Sequence, residues 1–423
     1  MKTVKVNEKL RGGKRLHLSG VMMLLTVFIG YLVFGFSENS KGPAIPRMQT
    51  DLGFDELQLG MLLAFNSLGY LAACSFTGLL TRRFGIRFTT LLAFGAMALS
   101  GVFIYLSYNY TTLAAAYFFL YLGNGALEIA LSVLSARIFV RNTGMMMNLA
   151  HFFYGLSSIV APIFASVLMD ARPFGPALGW GGMYLIMMSL SLIPMIPTAL
   201  SSFPGDDVKE AARSMTFKQY GQDPAAWLIV AILSLGVTAE MAFGGWLPNF
   251  MEKAYGWSGT ASSGMLAAFF LCFTLSRLVL GPITDRLGLI RSLVVFSLFS
   301  GLCTLAAVVL GEQGAWLFMA AGAGIAPIYP TTMAYLAKRY AGSSDTAITF
   351  TVIMLGITGV IGNLLIGVIT DAFKRLFAGF GGADIGLIRG LQAGFVFVAL
   401  CALFCSLSAM LLQRHLQRRG EEV

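Results

Sequence analysis

Twelve long apolar runs, separated by short polar segments, dominate this sequence. They lie at residues 19–36, 57–80, 88–106, 113–135, 146–169, 183–200, 227–246, 265–280, 293–310, 316–336, 348–370 and 393–412. An α-helix crosses the hydrocarbon core of a bilayer in about 20 residues, and it satisfies its own backbone polar groups in lipid. The runs therefore predict an all-α membrane protein with twelve transmembrane helices.

Composition supports that class and argues against a nucleic-acid partner. Hydrophobic residues make up 57% of the chain and charged residues 12%, and the mean hydropathy is +0.76. Soluble domains carry roughly 25% charged residues. The formal charge of +9 comes from Lys and Arg residues spread over short loops. That distribution is typical of membrane topology, so we expect lipids to surround the protein and expect no nucleic-acid binding.

A polar stretch divides the runs into six and six. We predict a basic tail at residues 1–18, a six-helix bundle at 19–201, a linker at 202–225, a second bundle at 226–413 and a tail at 414–423. Twenty-one Lys and Arg residues fall on one side of the membrane and seven on the other. The excess predicts a multi-pass protein of the cell (inner) membrane whose termini and linker are cytoplasmic.

The two halves resemble each other. Residues 155–170 (GLSSIVAPIFASVLMD) match residues 356–371 (GITGVIGNLLIGVITD) without a gap, and GLLTRRFGIR from Gly78 matches GPITDRLGLIR from Gly281. Gly123 is paired in the same way with Gly322. Parallel six-helix repeats are typical of transporters in which the site lies at midplane between pseudo-symmetric halves. We therefore expect a secondary transporter that works by alternating access.

Two acidic residues lie deep in the spans, Glu128 and Glu240. A carboxylate there must be paired, protonated or in contact with water, so intramembrane acids usually mark a transport path. A buried acid whose pKa is raised toward neutrality can load and release a proton. Either residue could carry that proton while the other holds substrate hydroxyls. The structural alternative is a carboxylate that only ties helices together.

The segment GVTAEMAFGGWLPNF surrounds Glu240, and two glycines and a proline, Gly244, Gly245 and Pro248, follow Glu240 within it. These residues predict a loosened, broken helix that lines a cavity and forms an outer gate. Asn148, His151 and Tyr154 recur every three residues and share a helix face. The histidine could relay protons, bind a sugar hydroxyl or be tied to a carbonyl. The full set of predicted substrate contacts is Asn66, Asn124, Asn148, His151, Tyr154, Glu240, Trp246, Asn249, Tyr329 and Asn363.

Arg277 lies within an apolar run, and we expect its side chain to snorkel to the cytoplasmic edge in a structural or gating role. The chain contains no phosphate-binding loop, no His/Cys metal spacing and no nucleophile elbow. We therefore expect neither an enzyme nor a metal site, and no cofactor apart from the proton as coupling ion. ATP-driven transport by this chain is excluded.

The loop pattern GxxxDRxGxxR, formed by Gly281, Asp285, Arg286, Gly288 and Arg291, resembles the loop motif of the major facilitator superfamily. A degenerate copy begins at Gly78, with Arg82 where that loop normally carries Asp. The resemblance covers essentially the whole chain and implies that Gly281, Asp285, Arg286 and Gly288, with Arg277, control gating.

Within that superfamily, five stretches are similar to the fucose permease-like sugar:proton symporters. They are GNGALEIALSVLSARIF, HFFYGLSSIVAPIF, GVTAEMAFGGWLPNF, FTLSRLVLGPITDRLG and APIYPTTMAYLAKR. The fourth-helix glutamate of that family falls on Glu128, which implies proton coupling there. The first-helix acid of some members has no clean match, so either Glu38 substitutes for it or coupling differs.

The sequence thus predicts proton-coupled import of a neutral sugar, a hexose or deoxyhexose, by a monomer. One alternative is a proton-antiport exporter of amphiphilic drugs or lipids, which an apolar pocket lined by Phe and Met would favour. The other alternative is a membrane sensor that binds ligand without net transport.

Overall fold

The computed structural model describes the backbone of residues 2–54, 56–173, 175–201, 203 and 215–420. Side chains are described in those ranges except at residues 2–18, 46, 56, 57, 59, 60, 64, 259, 260, 263 and 363. The helices in this part of the chain are α1 (Lys2–Asn39), α2 (Lys41–Leu52), α3 (Glu56–Tyr105), α4 (Tyr110–Ile138), α5 (Thr143–Asp170), α6 (Gly179–Ser189), α7 (Leu192–Leu200), α8 (Phe217–Gly221), α9 (Pro224–Tyr255), α10 (Gly259–Leu287), α11 (Leu289–Leu310), a 3-10 turn (Gly311–Gly314), α12 (Leu317–Ile325), α13 (Ile328–Arg339) and α14 (Ser344–Arg418).

Ten stretches of the described residues are helical, long and apolar enough to cross a membrane. Two of them, Met61–Tyr105 with 45 residues and Ser344–Arg418 with 75, exceed the length of about 20 residues that one crossing needs. Each contains a glycine with a non-helical backbone, Gly85 in α3 and Gly382 in α14. Each long helix therefore consists of two spans that meet at the glycine. This confirms the predicted all-α fold with twelve transmembrane helices.

The internal repeat is visible in the backbone of the two matched loops. Gly85 has φ 84° and ψ 160°, and Gly288, between α10 and α11, has φ 90° and ψ 143°. The two glycines occupy the same position of the repeated loop. Residues with a Cβ rarely adopt this conformation, so glycine is required at the same turn in both halves.

The register of the repeat in the fourth and tenth spans differs from the prediction, which paired Gly123 with Gly322. Gly123 packs against the second part of α3, and Gly324 packs equivalently against α11, whereas Gly322 packs against α10. Since α11 follows the repeated loop as the second part of α3 does, Gly123 pairs with Gly324. In this register, Glu128 corresponds to Tyr329.

The helix break predicted around Glu240 is wrong. α9 continues as a helix through Gly244, Gly245 and Pro248. A proline removes one backbone hydrogen bond, but aromatic packing holds the helix on both sides of it. The ring centroids of Phe243 and Phe269 are 4.5 Å apart, and those of Phe250 and Phe395 are also 4.5 Å apart.

The break occurs instead in the first span. α1 ends at Asn39 and α2 begins at Lys41, with Ser40 between them. Prolines follow at positions 43 and 46, and neither can donate a backbone hydrogen bond to the preceding turn. The second half has glycine at the position equivalent to the first of these prolines, so the seventh span keeps a backbone donor that the first span lacks.

Packing divides the chain into two compact units. The first unit comprises Met1–Ile138 with Leu156–Ser214, and the second comprises Phe139–Gly155 with Met215–Val423. Helix α5 therefore contributes its first half to the second unit and its remainder to the first. The domain limits 19–201 and 226–413 stay predictions.

Candidate functional site

Glu128 lies near the middle of α4, half-buried, and accepts a hydrogen bond from the Tyr70 hydroxyl of α3 at 2.5 Å. The two helices come close because of Gly125, where a Cβ would lie 2.7 Å from the Tyr70 carbonyl oxygen. Gly125 is thus the close-approach position that brings a phenol to the intramembrane carboxylate. Nothing in the sequence around Tyr70 pointed to this contact.

Asn66 lies one helical turn before Tyr70, on the same face of α3. Its side chain is only 3% exposed, and neither atom of its amide group has a hydrogen-bond partner in the described part of the chain. An unsatisfied buried polar group costs about 1–3 kcal/mol. The amide offers a donor and an acceptor together, which is the pair of groups that a ligand hydroxyl can use.

Glu38, near the end of α1, is the centre of a second polar cluster in the first unit. Asn124 of α4 donates to Glu38 Oε1 at 2.7 Å, and Lys41 Nζ lies 3.3 Å from Oε2. The same ammonium group donates to the Tyr121 hydroxyl at 2.8 Å, and Ser37 donates to the Asn124 side chain at 3.0 Å. Asn124 therefore donates its hydrogen bond to Glu38, although Glu128 lies one turn away in the same helix.

Sequence reasoning left Lys41 and Tyr121 out of the site, yet a signal for this cluster was present. Residues 38–46 and 240–248 share the pattern Glu-x3-Gly-x3-Pro, which places Glu38 and Glu240 at equivalent positions of the repeat. The pattern was hidden because the residues between its fixed positions differ in the two halves.

Arg277 does not snorkel, so that expectation is wrong. Its side chain is 2% exposed, and its guanidinium group donates to the carbonyl oxygens of Ala326 at 3.1 Å and His151 at 3.0 Å. It also lies 3.9 Å from Glu240 Oε1 and 4.2 Å from the centre of the Phe273 ring. Carbonyls, a carboxylate and an aromatic face together compensate the buried charge, which removes the reason to reach the membrane edge.

The predicted polar residues of α5 lie in the same unit, and His151 is the one among them whose carbonyl oxygen contacts this arginine in the described part of the chain. The His151 and Tyr329 rings are 4.9 Å apart, and Asn148 donates to the carbonyl oxygen of Gly144 at 2.8 Å and to Thr331 at 3.4 Å. The carbonyl oxygen of the Asn148 side chain is buried and has no partner within the described residues. The structure thus brings Asn148, His151, Tyr329 and Glu240 together, while Tyr154 is half-buried at the end of the α5 segment in this unit.

The remaining predicted substrate contacts are Trp246, Asn249 and Asn363. Trp246 lies beside α14, with its ring 4.0 Å from the position of a Cβ on Gly367. Asn249 is half-buried in α9. The side chain of Asn363 lies outside the described residues. The role of all three in substrate binding stays a prediction.

The loop residue Asp285 contacts the start of α5. It accepts hydrogen bonds from the backbone N–H groups of Gly144 at 3.0 Å and Met145 at 2.7 Å, and Lys338 Nζ lies 4.0 Å away. A carboxylate at a helix N-terminus interacts favourably with the free N–H groups and the helix dipole. Gly281 lets α10 approach α5, since a Cβ there would lie 3.1 Å from Asn148 Cβ. Arg286 is exposed.

A polar and aromatic cluster fixes the start of α9 outside the membrane-spanning segments. The Tyr340 hydroxyl donates to Asp223 at 2.7 Å, Arg339 lies 3.7 Å from the same carboxylate, and the Tyr220 ring is 4.9 Å from that of Tyr340. Burial raises the pKa of both tyrosines above the ordinary value for a phenol. Both side chains therefore stay neutral donors at physiological pH.

The protein is all-helical, its two halves are repeats of each other, and polar groups lie inside the membrane spans. Together these features define a multi-pass membrane transporter. The chain belongs to the Major Facilitator Superfamily, whose family model matches residues 27–362 and 237–421. The protein is accordingly a transporter and not an enzyme.

Two curated relatives are similar at low identity. Bypass of stop codon protein 6 of Saccharomyces cerevisiae is 23% identical over 297 residues, covering 63% of this chain and 57% of the yeast protein. This chain thus spans little more than half the length of that relative. An uncharacterized MFS-type transporter of Yersinia pestis is 22% identical over 369 residues, covering 86% of this chain and 92% of that protein.

Solved structures share the fold. A variant of the fucose:proton symporter of E. coli superposes with a TM-score of 0.74 at 18% identity, covering 92% of this chain and 99% of the symporter. A proton:xylose symporter bound to 6-bromo-6-deoxy-D-glucose gives a TM-score of 0.70 at 14% identity, with 91% and 94% of the two chains covered. At these identities the likeness establishes the fold alone.

Proposed function

We propose that this protein imports a neutral sugar, a hexose or deoxyhexose, together with a proton by alternating access. The observation that carries the proposal is Asn66, a buried amide with no described partner one turn from the Tyr70–Glu128 hydrogen bond. Such an amide is suited to a hydroxyl, which both donates and accepts hydrogen bonds. The sugar:proton symporters among the structural neighbours agree with this choice of substrate class.

In this proposal Glu128 binds the coupling proton. Its partner Tyr70 is neutral and can remain hydrogen-bonded to the carboxyl group in either protonation state. Polar residues of the second unit, the buried Asn148, His151 and Tyr329 and the half-buried Glu240, supply further substrate contacts. No cofactor other than the proton is required. The protein would act as a monomer in the cell membrane, with both termini in the cytoplasm.

The test is sugar uptake into proteoliposomes under an imposed inward proton gradient, over a panel of hexoses and deoxyhexoses. Wild type is compared with Glu128→Gln, and with Glu252→Gln as the control, because Glu252 is an exposed acid near the end of α9. We expect the gradient to drive accumulation of one sugar in wild type and the control. Glu128→Gln should lose accumulation but keep exchange of labelled for unlabelled sugar.

Two outcomes would contradict the proposal. If no sugar moves but a preloaded amphiphilic dye leaves when the gradient is applied, the protein is an exporter. If accumulation survives in Glu128→Gln, the coupling proton binds elsewhere.

A third variant, Asn66→Leu, should weaken apparent sugar affinity without abolishing the response to the gradient.

A further inference from the structure

Each half of the chain pairs a carboxylate with a cation. The two carboxylates occupy equivalent positions of the repeat, whereas the two cations do not. Glu38 and Glu240 occupy the same position of the Glu-x3-Gly-x3-Pro repeat. Glu38 lies 3.3 Å from Lys41, three residues further along the same segment. Glu240 lies 3.9 Å from Arg277, which comes from the neighbouring helix α10.

The residues that replace each cation in the opposite half are uncharged. In the Glu-x3-Gly-x3-Pro register, Phe243 stands where Lys41 stands in the first half. In the register of the matched loops, Cys74 stands where Arg277 stands in the second half. Each half therefore has one cation for its carboxylate, placed at one of two alternative positions. Either position puts a positive charge beside a partly buried carboxylate, which offsets part of the cost of keeping the carboxylate ionised within a span.

The position of Lys41 depends on the break between α1 and α2. Lys41 is the first residue of α2, after the bend at Ser40. Its ammonium group contacts Glu38 Oε2 and the Tyr121 hydroxyl, while Asn124 holds Glu38 Oε1 from α4. The carboxylate is thus held at both oxygens. The Lys41 side chain is 35% exposed.

We propose that Lys41 is a positioning residue, a tethered counter-ion that orients Glu38 in the place where a small free cation would otherwise bind. Removing the side chain to Cβ leaves a carboxylate, a tyrosine hydroxyl and a cavity that accepts a small ammonium ion from solution. The consequence for transport rests on the function proposed above, whereas the binding of a small ammonium ion does not.

The experiment uses purified full-length protein and methylammonium chloride, with choline chloride at equal concentration as the salt control. Choline is larger and has no N–H donor. We measure the thermal unfolding midpoint and sugar exchange for wild type, Lys41→Ala, Lys41→Met and Lys41→Arg. Lys374→Ala is the matched control, because the Lys374 side chain is exposed.

Lys41→Ala is expected to unfold at a lower temperature and to regain part of the loss in methylammonium but not in choline. Its sugar exchange should fall by about tenfold, because Glu38 loses a hydrogen bond from a charged donor, and recover in methylammonium. Lys41→Arg should retain exchange without any amine. Lys41→Met should lose exchange and regain none of it, because its own side chain fills the cavity.

Either of two results would overturn the inference: Lys41→Ala gains no stability in methylammonium over choline, or Lys41→Met exchanges sugar as wild type does. The stability measurement requires no transport, so it separates the two proposals. Wild type that exchanges no sugar refutes the proposed function while the unfolding midpoints still decide the role of Lys41. If Lys41→Ala cannot be purified, exchange by Lys41→Met and Lys41→Arg decides it.

Discussion

Glu128 and Glu240 have described partners of different kinds. Glu128 accepts a hydrogen bond from a neutral phenol, whereas Glu240 lies 3.9 Å from the buried guanidinium group of Arg277. A proton arriving at Glu240 would leave that arginine without its counter-charge, which is costly inside a span. This difference favours Glu128 as the proton-coupled acid and Glu240 as a residue that fixes the polar cluster of the second unit.

Replacing Tyr70 by Phe tests the phenol at the residue scale. A hydrogen bond to a charged group contributes about 1.5–3 kcal/mol, so its loss predicts a fall of about tenfold to a hundredfold in gradient-driven uptake. The measurement is the initial uptake rate in proteoliposomes at several proton gradients. Tyr105→Phe is the control, because the Tyr105 side chain is 53% exposed. Unchanged uptake in Tyr70→Phe would exclude the phenol from coupling.

At the scale of elements, the repeated loops depend on a glycine with positive φ. Gly85→Ala and Gly288→Ala each force a side chain into a backbone region that costs on the order of 1–3 kcal/mol. We expect both variants to unfold at a lower temperature, as followed by intrinsic fluorescence in detergent. Gly95→Ala is the control, since Gly95 is helical and has nothing within 4 Å of its Cβ position. Equal unfolding temperatures for all three variants would contradict the strained geometry.

The contact between Asp285 and the start of α5 makes a second prediction at this scale. Asp285→Ala leaves the N–H groups of Gly144 and Met145 without their acceptor. Hydrogen exchange at these two amides should become faster, by up to about a hundredfold if the bonds contribute about 1.5–3 kcal/mol. Mass spectrometry of peptides covering the start of α5 measures it. Asp384→Ala, at an exposed acid, should leave their exchange unchanged.

At the scale of the whole molecule, the sequence predicted what depends on apolar length and repetition. The twelve spans and the repeated loop were correct because a bilayer fixes helix length and because Gly85 and Gly288 need the same backbone conformation. Two features could not be predicted in the same way: the helical continuity of the seventh span, α9, and the contacts of Arg277. They depend on packing between residues distant in sequence, as Phe250 with Phe395 and Arg277 with His151 show.

The division of α5 between the two units predicts how the halves hold together. Residues 139–155 precede the linker in sequence but pack with residues 215–423. A protease site inserted between residues 208 and 209, cut after purification, should therefore leave a single particle on size-exclusion chromatography. One contact in this packing is the close approach of α10 to α5 at Gly281, where a Cβ would lie 3.1 Å from Asn148 Cβ.

Gly281→Leu in the cleavable protein tests that contact directly. Overpacking at a close helix contact costs about 1–3 kcal/mol, so the cut variant should separate into two fragments more readily than the cut parent as detergent concentration rises. Gly264→Leu is the matched control on the same helix, since nothing lies within 4 Å of a Cβ at Gly264. If both variants stay together as the parent does, the halves are held by other contacts. If the parent itself separates on cutting, the α5 packing is too weak to join them and the linker is what keeps the transporter whole.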